Sequence, residues 1–191
     1  MDVASEGQAA DARAPDGSSS VKFQIFNAYV PDAPRHLIKG LVDGIGTRPR
    51  LRAEASDGSL LIDQSYDAAE VADVPTATSV AAEWLRQASG MELIAVGHRV
   101  VHGGPDFERP VLIDENVLAR LQQYVALAPL HQPNNLAVIR SLLTLRPGLA
   151  QVACFDTAFH RSHSNCRRSL CNSGVFLSRR RQAVWISRAF L

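Results

Sequence analysis

Apolar residues recur along this chain in two rhythms. Near the start, Phe23 and Ile25 alternate with polar neighbours and predict a strand fed by the Gly17-Ser18-Ser19-Ser20 turn. From Pro34, the spacing of Leu37, Ile38, Leu41 and Val42 predicts a short amphipathic helix ending near Gly44. Arg50 to Ala55 and Ser59 to Tyr66 read as two strands joined by Asp57-Gly58, a strong hairpin signal. Val80 to Ala88 returns to helical spacing, with Ser79 as N-cap, Gly90 as the closing residue and Trp84 as an anchor. Leu93 to Val96 is a short apolar run of the kind that makes a buried strand. Asp114 then caps a helix to about Val125, and Pro133 starts another that runs to about Leu145, before Pro147-Gly148 ends it. Ala150 to Phe155 is the next strand. Residues 1–16 are small and polar without periodicity and are expected to be disordered. No internal repeat stands out.

At 191 residues and 46% hydrophobic content the chain suits one ordinary domain or one lobe of a larger enzyme. A formal charge of +1 gives no reason to expect nucleic acid or membrane as a partner. That average conceals an asymmetry. Residues 161–191 hold seven arginines and no Asp, Glu or Lys, which leaves residues 1–160 at −6. The cysteines, Cys154, Cys166 and Cys171, are odd in number and irregular in spacing. They support neither a disulfide framework nor a zinc site, so a reducing cytoplasm is the expected setting. No apolar run approaches the roughly 20 residues of a membrane span, and Met1 to Asp16 lacks the apolar core of a secretory signal.

The candidate chemistry begins at Ala95-Val96-Gly97-His98-Arg99-Val100-Val101-His102-Gly103-Gly104-Pro105. Polar side chains among valines are costly in a core unless they are paired or face a ligand. Arg99 offers a planar fork suited to a carboxylate or phosphate, and the glycines let a ligand come close to the backbone. The plain alternative is a satisfied structural residue. A zinc pair of His98 and His102 would need a helix, and the valines and glycines argue for strand and turn. His131, in the turn Ala128-Pro129-Leu130-His131-Gln132-Pro133, reads as a loop histidine, yet it precedes a helix N-terminus, where an anion is favoured. Asp156 ends an apolar strand, the position of an N-cap or, in an α/β sheet, of a functional group. The Gly-Ser-Ser-Ser-x-Lys stretch could present backbone N–H groups, hydroxyls and Lys22 to phosphate. Taken alone it is a turn.

Taken in order, Gly-Ser-Ser-Ser-x-Lys, Gly-His-Arg-Val-Val-His-Gly-Gly, Ala-Pro-Leu-His-x-Pro and Phe-Asp-Thr-Ala-Phe-His resemble the N-terminal part of acetate kinases, over roughly Gly17 to His160. The resemblance implies an α/β fold, a ribonuclease-H-like lobe of the acetate and sugar kinase, heat-shock chaperone ATPase and actin superfamily, here incomplete. It also implies ATP-dependent phosphoryl transfer, with Mg²⁺, to the carboxylate of acetate or propionate. By that resemblance Arg99 would hold the substrate carboxylate and the moving phosphoryl charge, Val101 and Leu130 would line the methyl pocket, and His131 would donate to phosphoryl oxygens. Asp156 matches the catalytic aspartate, and Ser18, Ser20 and Lys22 match the phosphate- and metal-side turn. A carboxylate is already a nucleophile, so Asp156 reads as an orienter rather than a base. The family forms homodimers, largely through a lobe beyond this chain.

Two departures qualify the likeness. The family's apolar first strand and metal-side asparagine are replaced by Ala9 to Pro15, with Pro15 in the asparagine's place. A proline supplies no metal ligand. Residues 161–191 match nothing in the family as read. Val184 to Leu191 can be encoded by a string of codons that, shifted one base, spells Tyr-Gly-Phe-His-Gly-Leu-Ser, close to the family's next motif. A frameshift soon after His160 is the expected origin of this tail. The chain is therefore expected either to act as a small-acid kinase or, as favoured here, to be an inactive remnant that at most binds a small carboxylate or phosphate.

Overall fold

The structure, a computed structural model, describes residues 20–27, 34–89, 93–161 and 182–187. The segment 1–16, Ser18, Gly90 and most of the tail lie outside the described residues. The elements are β1 (Val21–Asn27), β2 (Arg35–Asp43), β3 (Arg50–Ala55), β4 (Leu60–Ser65), α1 (Val74–Ser89), β5 (Leu93–Val100), β6 (Val111–Leu112), α2 (Glu115–Gln123), a 3₁₀ turn (Tyr124–Leu127), α3 (Gln132–Leu145), β7 (Ala150–Phe155), α4 (Asp156–Arg161) and β8 (Gln182–Ser187).

The strands form one sheet in the order β4-β3-β2-β1-β8-β5-β7-β6. β1 to β4 pair antiparallel in sequence order, β8 is antiparallel to β1, and β8, β5 and β7 run parallel. Alternation decides which face is covered. Val21, Phe23 and Ile25 are buried while Lys22 and Gln24 are exposed. On the buried face, α1 and α3 close a core of Phe23, Ile25, Val42, Leu51, Ala77, Val96, Val138 and Leu142. A second core gathers Val100, Leu121, Leu136, Ile139, Ala153 and Phe155 where α2 meets α3. Alternate residues of α3 enter each core, so this helix ties the two together.

Two expectations are corrected. Arg35 to Asp43 is strand β2, not a helix. Its apolar spacing suits a helix, but β1 offers an edge directly upstream, and the tip of the Phe23 ring lies against Gly40, where a Cβ would come within 2.1 Å of it. Tertiary pairing overrides local period here. Helix α1 starts at Val74, not near Val80, because Asp73 and Thr76 cap it reciprocally: Thr76 N donates to Asp73 Oδ1 at 2.9 Å and Asp73 N donates to Thr76 Oγ1 at 3.1 Å. Ser79, expected at the cap, lies inside the helix and donates to the Pro75 carbonyl at 3.0 Å. The tail, for which the sequence suggested no element, contributes β8. The Asp114 cap, the β3–β4 hairpin, α3 and β7 lie where the sequence predicts them.

Candidate functional site

The carboxyl ends of β5 and β7 lie side by side because the two strands pair in parallel, Arg99 opposite Cys154. Strand alternation sends Val96, His98 and Val100 toward the helices, and Arg99 to the other face. Asp156 follows Phe155 directly, at the start of α4, and its carboxylate meets Arg99. Arg99 Nε donates to Oδ1 at 2.8 Å and to Oδ2 at 3.1 Å. The pair is half-open to solvent, with the Arg99 side chain 42% and the Asp156 side chain 26% exposed. Held through Nε, the guanidinium has a fixed plane, the pre-organisation that recognition of a carboxylate or phosphate exploits.

Beyond Val100 the chain turns through Val101 to Gly104, and several groups pin this turn. Asn135 Oδ1 accepts from Val101 N at 3.4 Å, and Thr157 Oγ1 accepts from Gly103 N at 3.2 Å. Gln132 Nε2 donates to the His102 carbonyl at 3.0 Å, and His102 Nδ1 accepts from Gly104 N at 2.9 Å. Gly104 sits at φ +62°, and a Cβ there would come within 2.3 Å of the Tyr124 ring. Only glycine meets both demands. The Tyr124 hydroxyl in turn donates to Asp106, which also pairs with Arg120 at 2.8 Å. Gln132 and Asn135 were not singled out in the sequence. Their signal was the polar run Gln132-Pro133-Asn134-Asn135 on the first turn of a helix, two of whose members are buried.

His98 is buried and lies 2.7 Å from Gln151 Oε1 through Nε2. Burial pushes its pKa down to about 4, against the opposing pull of Gln151, so it is a neutral core group near pH 7. Burial likewise raises the Cys154 thiol to about 11. Ser20, His98, Arg99 and Asn135 line one small cavity, with Val21, Val74 and Val138 as its apolar wall. Thus Ser20, at the end of the serine turn, lines the same small cavity as Arg99. Lys22 does not share that cavity. It lines a broader groove on the outer face with Lys39, Arg52 and Glu54, where Glu54 bridges the other two at 2.9 and 3.0 Å. His131 is half-buried at the N-cap position of α3, with helical backbone angles and no capping bond from its side chain. Val101 is half-buried, whereas Leu130 is 78% exposed.

Among the described residues no group of three or more His, Cys, Asp or Glu could cage a metal. The carboxylate at this site, Asp156, turns both oxygens onto Arg99, and Pro15 supplies no side-chain oxygen. No described helix is long and apolar enough to cross a membrane.

A sequence profile of the acetokinase family matches residues 15–168. The chain belongs to the acetokinase family. It is 62% identical over 147 residues to an acetate kinase of Nitrobacter hamburgensis, covering 77% of this chain and 36% of that protein. An acetate kinase of Rhizobium meliloti is also 62% identical, over 148 residues, with 78% and 37% covered. Among solved structures, a propionate kinase from Francisella tularensis superposes with a TM-score of 0.65 at 34% identity, covering 76% of this chain and 36% of that one. The acetate kinase of Porphyromonas gingivalis gives 0.66 at 32% identity, with 76% and 37% covered. The mixed α/β fold is therefore the family's, and the chain spans little more than a third of the length of these relatives, as an incomplete lobe would.

Proposed function

We propose that this lobe binds a small anion at Arg99 and forms the acceptor side of ATP-dependent phosphoryl transfer to acetate or propionate in the cytoplasm. The observation that carries this reading is the Arg99 guanidinium, fixed by Asp156 at the carboxyl ends of two parallel strands. In that reading Arg99 binds the substrate carboxylate and offsets charge that accumulates on the transferring phosphoryl group. Asp156 acts through Arg99, holding its plane, and removes no proton, since a carboxylate needs none removed to attack. His131 is the hydrogen-bond donor toward phosphoryl oxygens, and Val101 with Leu130 is the apolar contact for the substrate's alkyl end. Ser18 and Lys22 belong to the phosphate-side turn in the same reading. ATP with Mg²⁺ supplies the phosphoryl group, as is general in the family.

The second reading is a lobe that binds acetate or phosphate without turning it over. Titration of the purified chain with acetate and with phosphate, beside a hydroxylamine-trap assay for acyl phosphate, separates the two. Saturable binding lost in Arg99→Ala supports the anion site, and turnover lost in the same variant supports the kinase. Absence of binding to the wild-type chain sinks both. We further propose that residues 161–191 are read in a shifted frame. Sequencing the gene across the His160 codon to beyond Leu191 tests this, and an intact frame with no added or missing base overturns it.

A further inference from the structure

The two halves of the candidate site ride on strands that do not touch. Ser20 precedes β1 and Arg99 lies near the end of β5, yet β8 stands between these strands from Lys22 to Asn27 on β1 and from Leu93 to His98 on β5. Neighbouring strands sit about 4.8 Å apart, so β1 and β5 are roughly 10 Å apart, too far for a backbone hydrogen bond. Without β8 the sheet would fall into β4-β3-β2-β1 and β5-β7-β6, each with an unpaired apolar edge: Val21, Phe23 and Ile25 on one, Ala95, Val96 and Val100 on the other. Such edges are templates for another strand.

The polarity of this gap is informative. A strand entering β1 through a short Gly-Ser turn would pair with it antiparallel, as in any hairpin. β2 already occupies one side of β1, so such a strand belongs on the other, where β8 now runs antiparallel to β1. In this sequence Ala9 to Pro15, ahead of the turn, has no strand pattern.

We propose that the gap between β1 and β5 is a strand-accepting slot, and that the chain fills it from its own tail, with Gln182–Ser187 in place of a hairpin partner for β1. The ligand class of the slot is an extended peptide, inserted antiparallel to β1 and parallel to β5. Backbone pairing to both neighbours supplies the recognition and is largely indifferent to sequence, which is why Gln-Ala-Val-Trp-Ile-Ser qualifies: it has β-branched and aromatic residues and no proline. The connection from Arg161 to Gln182 suffices in length, because a parallel crossover needs about a dozen residues and the intervening positions 162–181 exceed that. This inference does not depend on the anion-binding reading, and it concerns the polypeptide irrespective of how its gene acquired the tail.

Val184 is the register centre, opposite Ile25 on β1 and Val96 on β5. Proline there removes a ladder donor between two strands. The test is hydrogen–deuterium exchange of the full chain, wild type and Val184→Pro, with and without a synthetic peptide of residues 180–189. The expected result is exchange in β1 and β5 roughly a hundredfold faster in the variant, with protection restored by the wild-type peptide and not by one carrying the same proline. Unchanged exchange in the variant, or equal rescue by both peptides, overturns the proposal. Should the variant fail to fold, a cysteine pair at Gln24 and Trp185, which are Cα partners, gives an independent answer in a chain whose natural cysteines are serine. It should form an intramolecular disulfide ahead of a pair at Gln24 and Ser187, and equal rates for the two pairs would refute the register.

Discussion

His98 shows how one buried residue sets a pH dependence. Its ordinary pKa of 6.5 falls to about 4 in the fold. Between those values the unfolded chain binds a proton that the folded chain refuses. Stability is therefore complete above pH 6.5 and declines as the pH falls toward 4, by about 3 kcal/mol in all. Urea unfolding from pH 7 to 4.5 checks this: His98→Gln, which cannot titrate, should flatten the slope relative to wild type, and parallel slopes would exclude His98 as the source. At Cys154 the thiol raised to about 11 leaves little thiolate near neutrality. Alkylation at pH 8, mapped to Cys154 by mass spectrometry, should run roughly a hundredfold slower than for an unperturbed thiol. Gly104→Ala combines a left-handed φ with a collision against Tyr124. It should cost about 2–4 kcal/mol of stability, and calorimetry showing a wild-type Tm would contradict the packing described. The value of Arg99 to a ligand was legible from its type and neighbours. Its partner Asp156, 57 residues away, came within reach only because β5 and β7 pair in parallel.

Elements with their own start and stop signals were legible. Asp114 accepts from Val117 N at 2.7 Å and opens α2 as the sequence predicts. Asp114→Ala should lower stability by about 1 kcal/mol, read from the urea midpoint, while Asp114→Asn, which keeps an acceptor, should remain near wild type. Elements that depend on a partner were not legible. Leu37, Ile38, Leu41 and Val42 fit a helix by period, and β1 makes them a strand. Capped by Asp73 and Thr76, α1 starts at Val74, six residues before the Val80 to Ala88 rhythm that announced it, and Val74, Ala77 and Thr78 are buried upstream of that rhythm.

At the scale of the whole molecule, α3 joins two cores, with Leu136 and Ile139 in one and Val138 and Leu142 in the other. Leu136→Ala should destabilise by about 2–5 kcal/mol while leaving one unfolding transition, coincident by fluorescence and far-ultraviolet circular dichroism. Two separated transitions would show that the cores melt independently. By itself the sequence determined the family, the hairpin at Asp57-Gly58, the strand Ala150–Phe155 and the residue types able to meet an anion, because these are properties of short segments. Only the tertiary structure decided which of those residues meet. It brought Ser20 into one cavity with Arg99, set Lys22 in a groove on the outer face, left Leu130 exposed, and enlisted Gln132 and Asn135 to hold the turn after β5. It also gave the tail a place, as β8. The physical reason is common to all of these: a strand satisfies its backbone with whichever partner the sheet provides, and that partner can lie anywhere along the chain.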